Sequence, residues 1–303
     1  MVQPLWGGFG RVQRVSLTGG QVSSAILKLI DTAVGGPHPR GWDGEVSTRR
    51  KRESHAVEAR FYERYAPRCD ERCRVPTLLG AFEHAEARGL LLEDLDVDWP
   101  TRRASLSVAE CMRCLEWLAA FHARFMGDTG AGLWPTGCYW QLGTRADEYA
   151  AMPDSPVKRA AHRLHDALST TRHHTLVHGD AKLANFCFDP SMHRVAALDF
   201  QYVGRGCGMR DVVYLLGSCL SDDECRRHET TLLDAYFAAL ARALERCGRS
   251  ADTAAVEEEW RDLYAVAWTD FLRFLLGWMP THRKVSAYAL ELAERALTRI
   301  PRA

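Results

Sequence analysis

The sequence has no excess of charge of either sign, because 39 lysines and arginines balance 39 aspartates and glutamates. Proteins that bind nucleic acid through bulk charge carry a net basic surface, so nucleic-acid binding is unsupported. No apolar run approaches the roughly 20 residues that span a membrane, and residues 1–14 lack the apolar segment of a secretory signal. We therefore expect a cytosolic protein that binds neither nucleic acid nor membrane. The oligomeric state is left open.

Internal repeats and low-complexity segments are also lacking, and the clearest linker is the glycine- and proline-rich stretch at residues 35–44. A chain of 303 residues that is 47% hydrophobic can bury a sizeable core. This length favours one bilobal unit or two modest domains.

Ten cysteines are present, and two pairs have metal-ligand spacing: Cys69 with Cys73, and Cys111 with Cys114. Together they could supply four zinc thiolates. The second pair, however, falls inside a predicted amphipathic helix rather than in a turn. Reduced, packed cysteines are therefore favoured over a zinc site, and without a secretory signal we expect no disulfides.

The most informative segment is the run LVHGDAKLAN at residues 176–185, which LDFQ follows at residues 198–201. Phosphoryl transfer needs one carboxylate to accept a hydroxyl proton, and an amide with a second carboxylate to hold Mg²⁺. Asp180, Asn185 and Asp199 supply these groups in the pattern H-x-D-x-x-x-x-N followed by D. Each residue alone would more often cap a helix or shape a turn. Together they predict a catalytic site.

Local structure around this motif is also predictable. Residues 186–188 and 194–198 form a predicted hairpin, which would return Asp199 beside Asn185. Lys182 would place a positive charge near the transferring phosphoryl group. His178 is interpreted as structural. Asp211 either begins the helical run that follows it or braces the catalytic loop.

These segments resemble the aminoglycoside phosphotransferase and choline kinase superfamily, and particularly the ecdysteroid kinase-like small-molecule kinases. The resemblance is carried by HGDAKLAN at residues 178–185 and LDFQY at residues 198–202. Gly179 replaces the arginine usual in protein kinases and Gln201 replaces the glycine of D-F-G, which favours a small-molecule acceptor.

The resemblance covers roughly residues 5–280 and implies an α+β, protein-kinase-like bilobal fold. Residues 1–95 would form a small, β-rich nucleotide-binding lobe. Residues 96–303 would form a larger, mostly helical lobe for catalysis and acceptor binding.

The N-terminal residues match what such an enzyme needs. The run LWGGFGRV at residues 5–12 contains Gly7, Gly8 and Gly10, where backbone N–H groups could approach ATP phosphates. Alone, this run would predict a plain turn. Lys28 is the only charge in a predicted strand at residues 24–30. A lone strand lysine is usually solvent-facing, but here we expect it to grip the α- and β-phosphates.

An acidic partner for Lys28 is expected on the predicted helix at residues 47–65. Glu53 and Glu58 are candidates, and we choose Glu58 because its sequence context is similar to the family's E-x-x-F-Y run; the alternative is a solvated surface glutamate. The basic run at residues 49–52 is interpreted as a solvated face.

The segment LLLEDL at residues 90–95 resembles the family's connection between lobes. The resemblance implies that Glu93 and Leu95 contact adenine through their main chains. The alternative is an ordinary strand end.

The rest of the chain is predicted to be mostly helical. A helix at residues 107–125 would begin with a capping box of Ser107 and Glu110, and His122 on it is interpreted as a packing residue. The aromatic run at residues 133–140 is either a packed loop or a lid over the acceptor.

The late helices contain an aromatic stripe with three- or four-residue spacing, which is typical of a core. The same late helices also carry aspartates and glutamates. Aromatic rings together with carboxylates can bind a cationic or amphiphilic acceptor. Because related kinases place acceptor pockets among their late helices, Trp268 and Asp270 are acceptor candidates.

Together these features predict ATP- and Mg²⁺-dependent transfer of a phosphoryl group to a hydroxyl of a small molecule. Asp180 would be the base, Lys182 would offset charge, and Asn185 with Asp199 would hold Mg²⁺. A steroid, an amino alcohol, a sugar and an antibiotic all remain open as acceptors.

Two other functions also remain open. Only five residues precede Trp6, so the strand that enters the glycine loop is nearly absent. This keeps open a catalytically weak, kinase-like nucleotide-binding protein. A protein kinase is a third alternative, which Gly179, Gln201 and the missing A-P-E segment disfavour.

Overall fold

The structure is a computed structural model that describes residues 3–4, 10–19, 22–31, 45–84, 87–249 and 253–300. Within these ranges the chain first forms a small antiparallel sheet with one long helix, and then a larger part that is mostly helical. The α+β class predicted from the sequence is confirmed. The predicted linker at residues 35–44 lies outside the described residues.

The N-terminal sheet has the strand order β1-β2-β3-β5-β4, and neighbouring strands are antiparallel. Its strands are β1 Gln3–Pro4, β2 Gly10–Ser16, β3 Ser24–Asp31, β4 Leu78–His84 and β5 Ala87–Glu93. β3 lies between β2 and β5, with Lys28 paired to Val12 on one side and Leu90 on the other. Since side chains two apart share a face of a strand, Lys28 and Ile30 are buried together.

The described helices and the remaining strands follow in chain order. The helices are α1 Glu45–Arg64, α2 Val108–Arg124, α3 Ala146–Ala151, α4 Pro156–Arg159, α5 Ala161–Ser169, α6 Met209–Cys219, α7 Asp222–Arg246, α8 Thr253–Trp278 and α9 Ala287–Arg299. The short strands are β6 Thr175–Val177, β7 Phe186–Phe188, β8 Val195–Ala197 and β9 Gly204–Gly206, of which β6 pairs with β9 and β7 with β8.

Several local predictions are confirmed. The β7–β8 hairpin forms as expected, and the capping box at the start of α2 is present between Ser107 and Glu110. Strand β4 begins at Leu78, two residues after Pro76, because proline has no N–H to donate to a β-ladder.

The late helices form a core. On α8, the aromatic stripe that includes Trp260, Tyr264 and Phe271 is buried, which confirms the core interpretation of its spacing. No helix among the described residues is both long and apolar enough to cross a membrane.

All ten cysteines are free thiols, and the Sγ atoms of Cys111 and Cys219 lie 3.5 Å apart. Nowhere in the described ranges do three or more His, Cys, Asp or Glu side chains cluster as a metal site. Cys69, Cys73, Cys111 and Cys114 therefore do not assemble as zinc ligands.

Helix α1 is joined to the C-terminal part by aromatic packing. Phe61 stacks on Phe200 with ring centroids 4.0 Å apart, and the edge of Tyr62 meets the same ring at 5.9 Å. All three rings are buried. This packing fixes the position of α1 relative to the segment that carries Asp199.

Phe61→Ala should lower the free energy of unfolding by about 3–5 kcal/mol, because it leaves a cavity against Phe200. Urea denaturation would measure the loss. Phe82→Ala is the matched control: its side chain on β4 is 45% exposed, so its removal should cost about 1 kcal/mol or less. Equal losses for the two variants would contradict the packing role of Phe61.

Candidate active site

Lys28 lies at the centre of the candidate site, on the buried side of β3. Its Nζ atom is 2.6 Å from Oε2 of Glu58 and 3.3 Å from Oδ1 of Asp199. Burial by itself would lower the pKa of Lys28, but the two carboxylates outweigh burial and hold the pKa above its usual value. The ammonium group therefore stays charged at neutral pH.

Glu58 is positioned by the face of α1 that carries the E-x-x-F-Y run. Glu58, Phe61 and Tyr62 lie on one side of the helix because they are three and four residues apart. The Glu58 carboxylate also accepts a hydrogen bond from the side chain of Gln201, and Tyr62 bonds the backbone of Asp199. Burial raises the pKa of Glu58 to about 7, although the neighbouring ammonium opposes the increase.

The loop that follows β6 is held by the buried carboxylate of Asp211, near the start of α6. Its Oδ2 accepts the N–H of His178 at 2.6 Å, and its Oδ1 accepts the N–H of Gly179 at 2.9 Å. His122 lies 3.1 Å from Asp211 Oδ2 through Nε2 and 2.8 Å from the Tyr236 hydroxyl through Nδ1. Of the two interpretations of Asp211, the loop-bracing role is confirmed, and His122 is a buried, hydrogen-bonded packing residue.

His178 connects the two halves of the motif. Its Nδ1 accepts the N–H of Asp180 at 3.3 Å, and its Nε2 lies 3.0 Å from the carbonyl oxygen of Leu198. A neutral ring protonated at Nε2 satisfies both contacts. The structural interpretation of His178 is thus confirmed.

Asp180 is buried, and its two carboxylate oxygens have different surroundings. Oδ2 accepts hydrogen bonds from Lys182 Nζ at 2.8 Å and from Asn185 Nδ2 at 3.1 Å. Oδ1 is buried and makes no well-formed hydrogen bond to any described residue, although Tyr214 interacts with this carboxylate. Burial raises the pKa of Asp180, and the charge of Lys182 opposes the increase. One oxygen is thus available to another hydroxyl group.

Asp199 lies beside Asn185, as the predicted hairpin requires, because Leu198 donates its N–H to the carbonyl oxygen of Asn185 at 3.0 Å. Asp199 has φ of 70°, a left-handed conformation that a non-glycine residue adopts at a cost of order 1–3 kcal/mol. Burial would raise its pKa, but Lys28 and Lys182 outweigh burial and lower it.

The donor set of this cleft fits a hard divalent cation. Mg²⁺ usually takes one or two carboxylates and completes its shell with phosphate oxygens and water. Asn185 donates through Nδ2, so its amide oxygen is the atom that can bind a cation. Of the two carboxylates that face Lys28, that of Asp199 is the more exposed, so it is the one that a cation can reach.

His55 is a buried residue of the site that sequence reasoning missed. It lies one turn before Glu58 on α1, and its Nδ1 has no hydrogen-bond partner among the described residues. Burial, together with the nearby charge of Lys28, lowers the pKa of His55 to about 3, so the ring is neutral at pH 7. Residues three apart on a helix share a face, so the spacing of His55 from Glu58 was the sequence signal that could have placed His55 in the site.

The predicted adenine contacts lie at the end of β5. The Glu93 carboxylate pairs with Arg74 at 2.5 Å. The backbone N–H of Glu93 donates to the carbonyl oxygen of Thr77 at 2.9 Å. Leu95 is buried. Asp94, between them, binds Arg14 of β2 at 2.6 Å. These contacts fix the connection between the lobes at residues 90–95. Adenine recognition by Glu93 and Leu95 stays a prediction.

Of the predicted phosphate-loop glycines, Gly7 and Gly8 lie outside the described residues. Gly10 has φ of 147°, and a Cβ there would lie 1.9 Å from the carbonyl oxygen of Leu29. Only glycine fits this close approach of β2 to β3.

The acceptor candidates Trp268 and Asp270 lie in the packed interior. Asp270 is fully buried and pairs with Arg273 at 2.8 Å, and Trp268 packs against Tyr288. Both side chains are part of the core, and Arg273 balances the charge of Asp270; acceptor binding by either residue stays a prediction. The aromatic run at residues 133–140 is packed rather than lid-like: Trp134 donates from Nε1 to the Gln201 carbonyl at 2.8 Å.

The site lies largely within a recognisable family segment. Residues 141–249, which include Asp180, Asn185 and Asp199, match the model of the ecdysteroid kinase-like family. The resemblance seen in the sequence is thereby confirmed. With the small sheet and the larger helical part, it confirms the protein-kinase-like fold. No curated protein sequence matches the chain significantly.

Solved structures similar to this chain include three phosphotransferases of low sequence identity. Aminoglycoside phosphotransferase APH(3'')-Id of Streptomyces rimosus is 17% identical, with 85% of this chain and 94% of that chain covered and a TM-score of 0.38. An aminoglycoside-3'-phosphotransferase of type VIII is 15% identical, with 86% and 92% covered and a TM-score of 0.44. A Plasmodium vivax ethanolamine kinase is 8% identical, with 97% and 81% covered and a TM-score of 0.49.

Gly179→Ala should destabilise the protein and disrupt the catalytic loop. Gly179 has φ of 79°, and an added Cβ would lie 2.0 Å from the carbonyl oxygen of Tyr202. We expect a loss of at least about 2 kcal/mol, since left-handed backbone and overpacking each cost about 1 kcal/mol or more. Thermal melts would measure it. Gly80→Ala is the control, because no described heavy atom lies within 4 Å of its added Cβ; comparable losses would refute the steric argument.

Proposed function

We propose that this protein is a small-molecule kinase that transfers the γ-phosphoryl group of ATP to a hydroxyl of its acceptor. The observation that carries the proposal is the contact of Lys28 with both Glu58 and Asp199. In kinases, a lysine held by a helix glutamate grips the nucleotide phosphates beside a metal-binding aspartate. Here the three groups come from three separate segments and meet in one cleft.

On the nucleotide side, Lys28 grips the α- and β-phosphates, and Glu58 holds it in position. Gly7, Gly8 and Gly10 cover the phosphates, and the main chains of Glu93 and Leu95 contact adenine.

Asn185 and Asp199 hold Mg²⁺ through oxygen atoms. When bound, the ion offsets the negative charge of the phosphates.

The nucleotide-binding lobe extends to about residue 95, and the remaining residues form the acceptor-binding lobe.

On the acceptor side, Asp180 orients the hydroxyl and accepts its proton at Oδ1, the oxygen without a well-formed hydrogen bond to a described residue. Asn185 and Lys182 donate hydrogen bonds to the other oxygen, Oδ2, and these bonds fix the orientation of the carboxylate. Lys182 also offsets negative charge on the transferring group. A positioned base of this kind contributes about 10²–10⁴-fold to the rate.

Asp180→Asn tests the proposal directly. The variant keeps the shape of the side chain but removes the base, so it should retain Mg·ATP binding and lose on the order of 10²-fold or more in turnover. Wild type and variant would be incubated with ATP, Mg²⁺ and a panel of hydroxylated compounds, and phosphorylated products would be located by mass. Calorimetry would measure nucleotide binding in parallel.

The matched control is Asp154→Asn, which alters an exposed aspartate paired with Arg159 and should leave turnover at the wild-type value. Equal transfer by wild type and Asp180→Asn would remove Asp180 from the mechanism. Nucleotide binding without transfer to any compound would favour a kinase-like binding protein.

The acidic limb of the pH profile should report the proton on Asp180. Because burial raises its pKa, the base is lost as pH falls through that raised value, and kcat/KM falls with it. Lys182 opposes the increase, so Lys182→Met should raise the pKa further and move the limb to higher pH. The profile of kcat/KM for an accepted compound measures both effects.

The control for Lys182→Met is Lys158→Met, on α4, which should leave the limb in place. A limb that moves to lower pH in Lys182→Met would contradict the assigned charge interaction.

A further inference from the structure

Arg145, which directly precedes α3, is a buried cation with an unused donor. Its Nη1 binds Glu148 at 3.0 Å, and its Nε donates to the carbonyl oxygen of Tyr139 at 2.8 Å. Nη2 is buried and has no hydrogen-bond partner among the described residues. The guanidinium group also lies over the Tyr139 ring at 4.1 Å and near the Phe274 ring at 5.2 Å.

A second buried cation, Arg50, approaches from α1. Its Nη1 donates to the carbonyl oxygen of Thr144 at 2.6 Å, and its Nη2 donates to Ser47 at 3.3 Å. Its Nε is buried without a partner in the described part of the chain. The interpretation of residues 49–52 as a solvated face is therefore wrong for Arg50, which faces inward.

The charge of one carboxylate, Glu148, acts on both guanidinium groups, although only Arg145 contacts it. Burial lowers the pKa of Arg50, and the charge of Arg145 lowers it further, whereas Glu148 acts in the opposite direction. A buried positive charge in excess of its carboxylates is unfavourable unless another anion pairs with it. Together with two unused N–H donors, this excess is the chemistry of an anion-binding site.

This cationic pair lies one aromatic layer from the catalytic loop. The N–H of Tyr139 donates to the carbonyl oxygen of Gly179 at 2.7 Å, and the Tyr139 ring meets the edge of Tyr202 at 5.0 Å. Tyr202 in turn interacts with both arginines and with Asp180. The rings of Tyr139 and Tyr202 thus link the two arginines to the loop that carries Asp180.

A further cation, Lys284, lies near the catalytic loop. Its Nζ lies 4.7 Å from the centroid of the Tyr214 ring and 5.2 Å from that of Phe271. The charges of Asp180 and Lys182 both act on Lys284.

We propose that the acceptor is a hydroxyl compound that bears a negatively charged group, which binds Arg145 and Arg50 while aromatic rings hold its apolar body. A carboxylate, a sulfonate and a phosphonate share this chemistry. Cationic acceptors are disfavoured, because like charges in a partly buried site repel. The inference rests on the proposed function of Asp180 for the identity of the site.

Matched probes test this inference by binding alone. 4-(Hydroxymethyl)benzoate, its amide and 4-(hydroxymethyl)benzylamine differ mainly in charge, and the corresponding sulfonate and phosphonate distinguish the kinds of anion. Calorimetry should show that at least one anionic probe binds about tenfold or more tighter than the amide, with the amine weakest. A tenfold ratio corresponds to about 1.4 kcal/mol.

The double variant Arg145→Met with Glu148→Gln removes one ion pair as a unit and leaves Arg50 in place. It should bind the anionic probe with a clearly smaller preference over the amide than the wild type shows. Arg50→Met should also reduce the preference, and it provides a second test if the double variant melts at a lower temperature. Arg159→Met, which removes an exposed guanidinium group, should keep the wild-type preference.

The proposal is overturned if no anionic probe binds the wild type, if the amide or amine binds as tightly, or if the preference is undiminished in both variants. Incubation of the same probes with Mg·ATP separates this outcome from the proposed activity. Binding that depends on Arg145 without phosphorylation of any compound would leave the anion site standing and remove the kinase proposal. Phosphorylation of the probes without a charge preference would leave the kinase proposal standing and remove the anion site.

Discussion

The buried ion pair of Lys28 with Glu58 is the interaction on which the candidate site depends. Charges removed from water are costly unless each has a partner, and Lys28 has two, since it also contacts Asp199. The loss of Lys28 would leave the buried Glu58 carboxylate without this partner, and the loss of Glu58 would leave Lys28 with only its longer contact to Asp199. The sheet, α1 and the end of the β7–β8 hairpin are therefore held in one geometry, which the stacking of Phe61 on Phe200 reinforces.

Charged groups of both signs lie near Asp180. Lys28 contacts the carboxylates of Glu58 and Asp199, and carboxylates suit a divalent cation. The buried cations Arg145 and Arg50 are near a single carboxylate, Glu148. Lys182 and Asn185 bind one oxygen of Asp180, and the other has no well-formed hydrogen bond to a described residue. In the proposed function, the carboxylates would bind the metal and the arginines would bind the anionic acceptor.

Sequence reasoning failed where burial decides what a side chain can contact. Asp270 looked available for an acceptor because its neighbours were aromatic, yet Arg273 neutralises it in the core. Arg50 was read as solvated because it lies in a basic run, but α1 turns it toward Thr144. His55 had only helical spacing in its favour. Burial and pairing depend on which elements pack together, and residue type alone does not specify that.

The sequence by itself determined the parts that depend on local spacing. The hairpin that brings Asp199 beside Asn185 and the capping box of α2 follow from turn chemistry and capping within a few residues. Only the tertiary structure decided that Gly179 must be glycine, because the obstructing carbonyl belongs to Tyr202. It also decided that Arg50 turns inward to the carbonyl oxygen of Thr144, 94 residues away. Such contacts depend on how the elements pack in three dimensions, which no short pattern records.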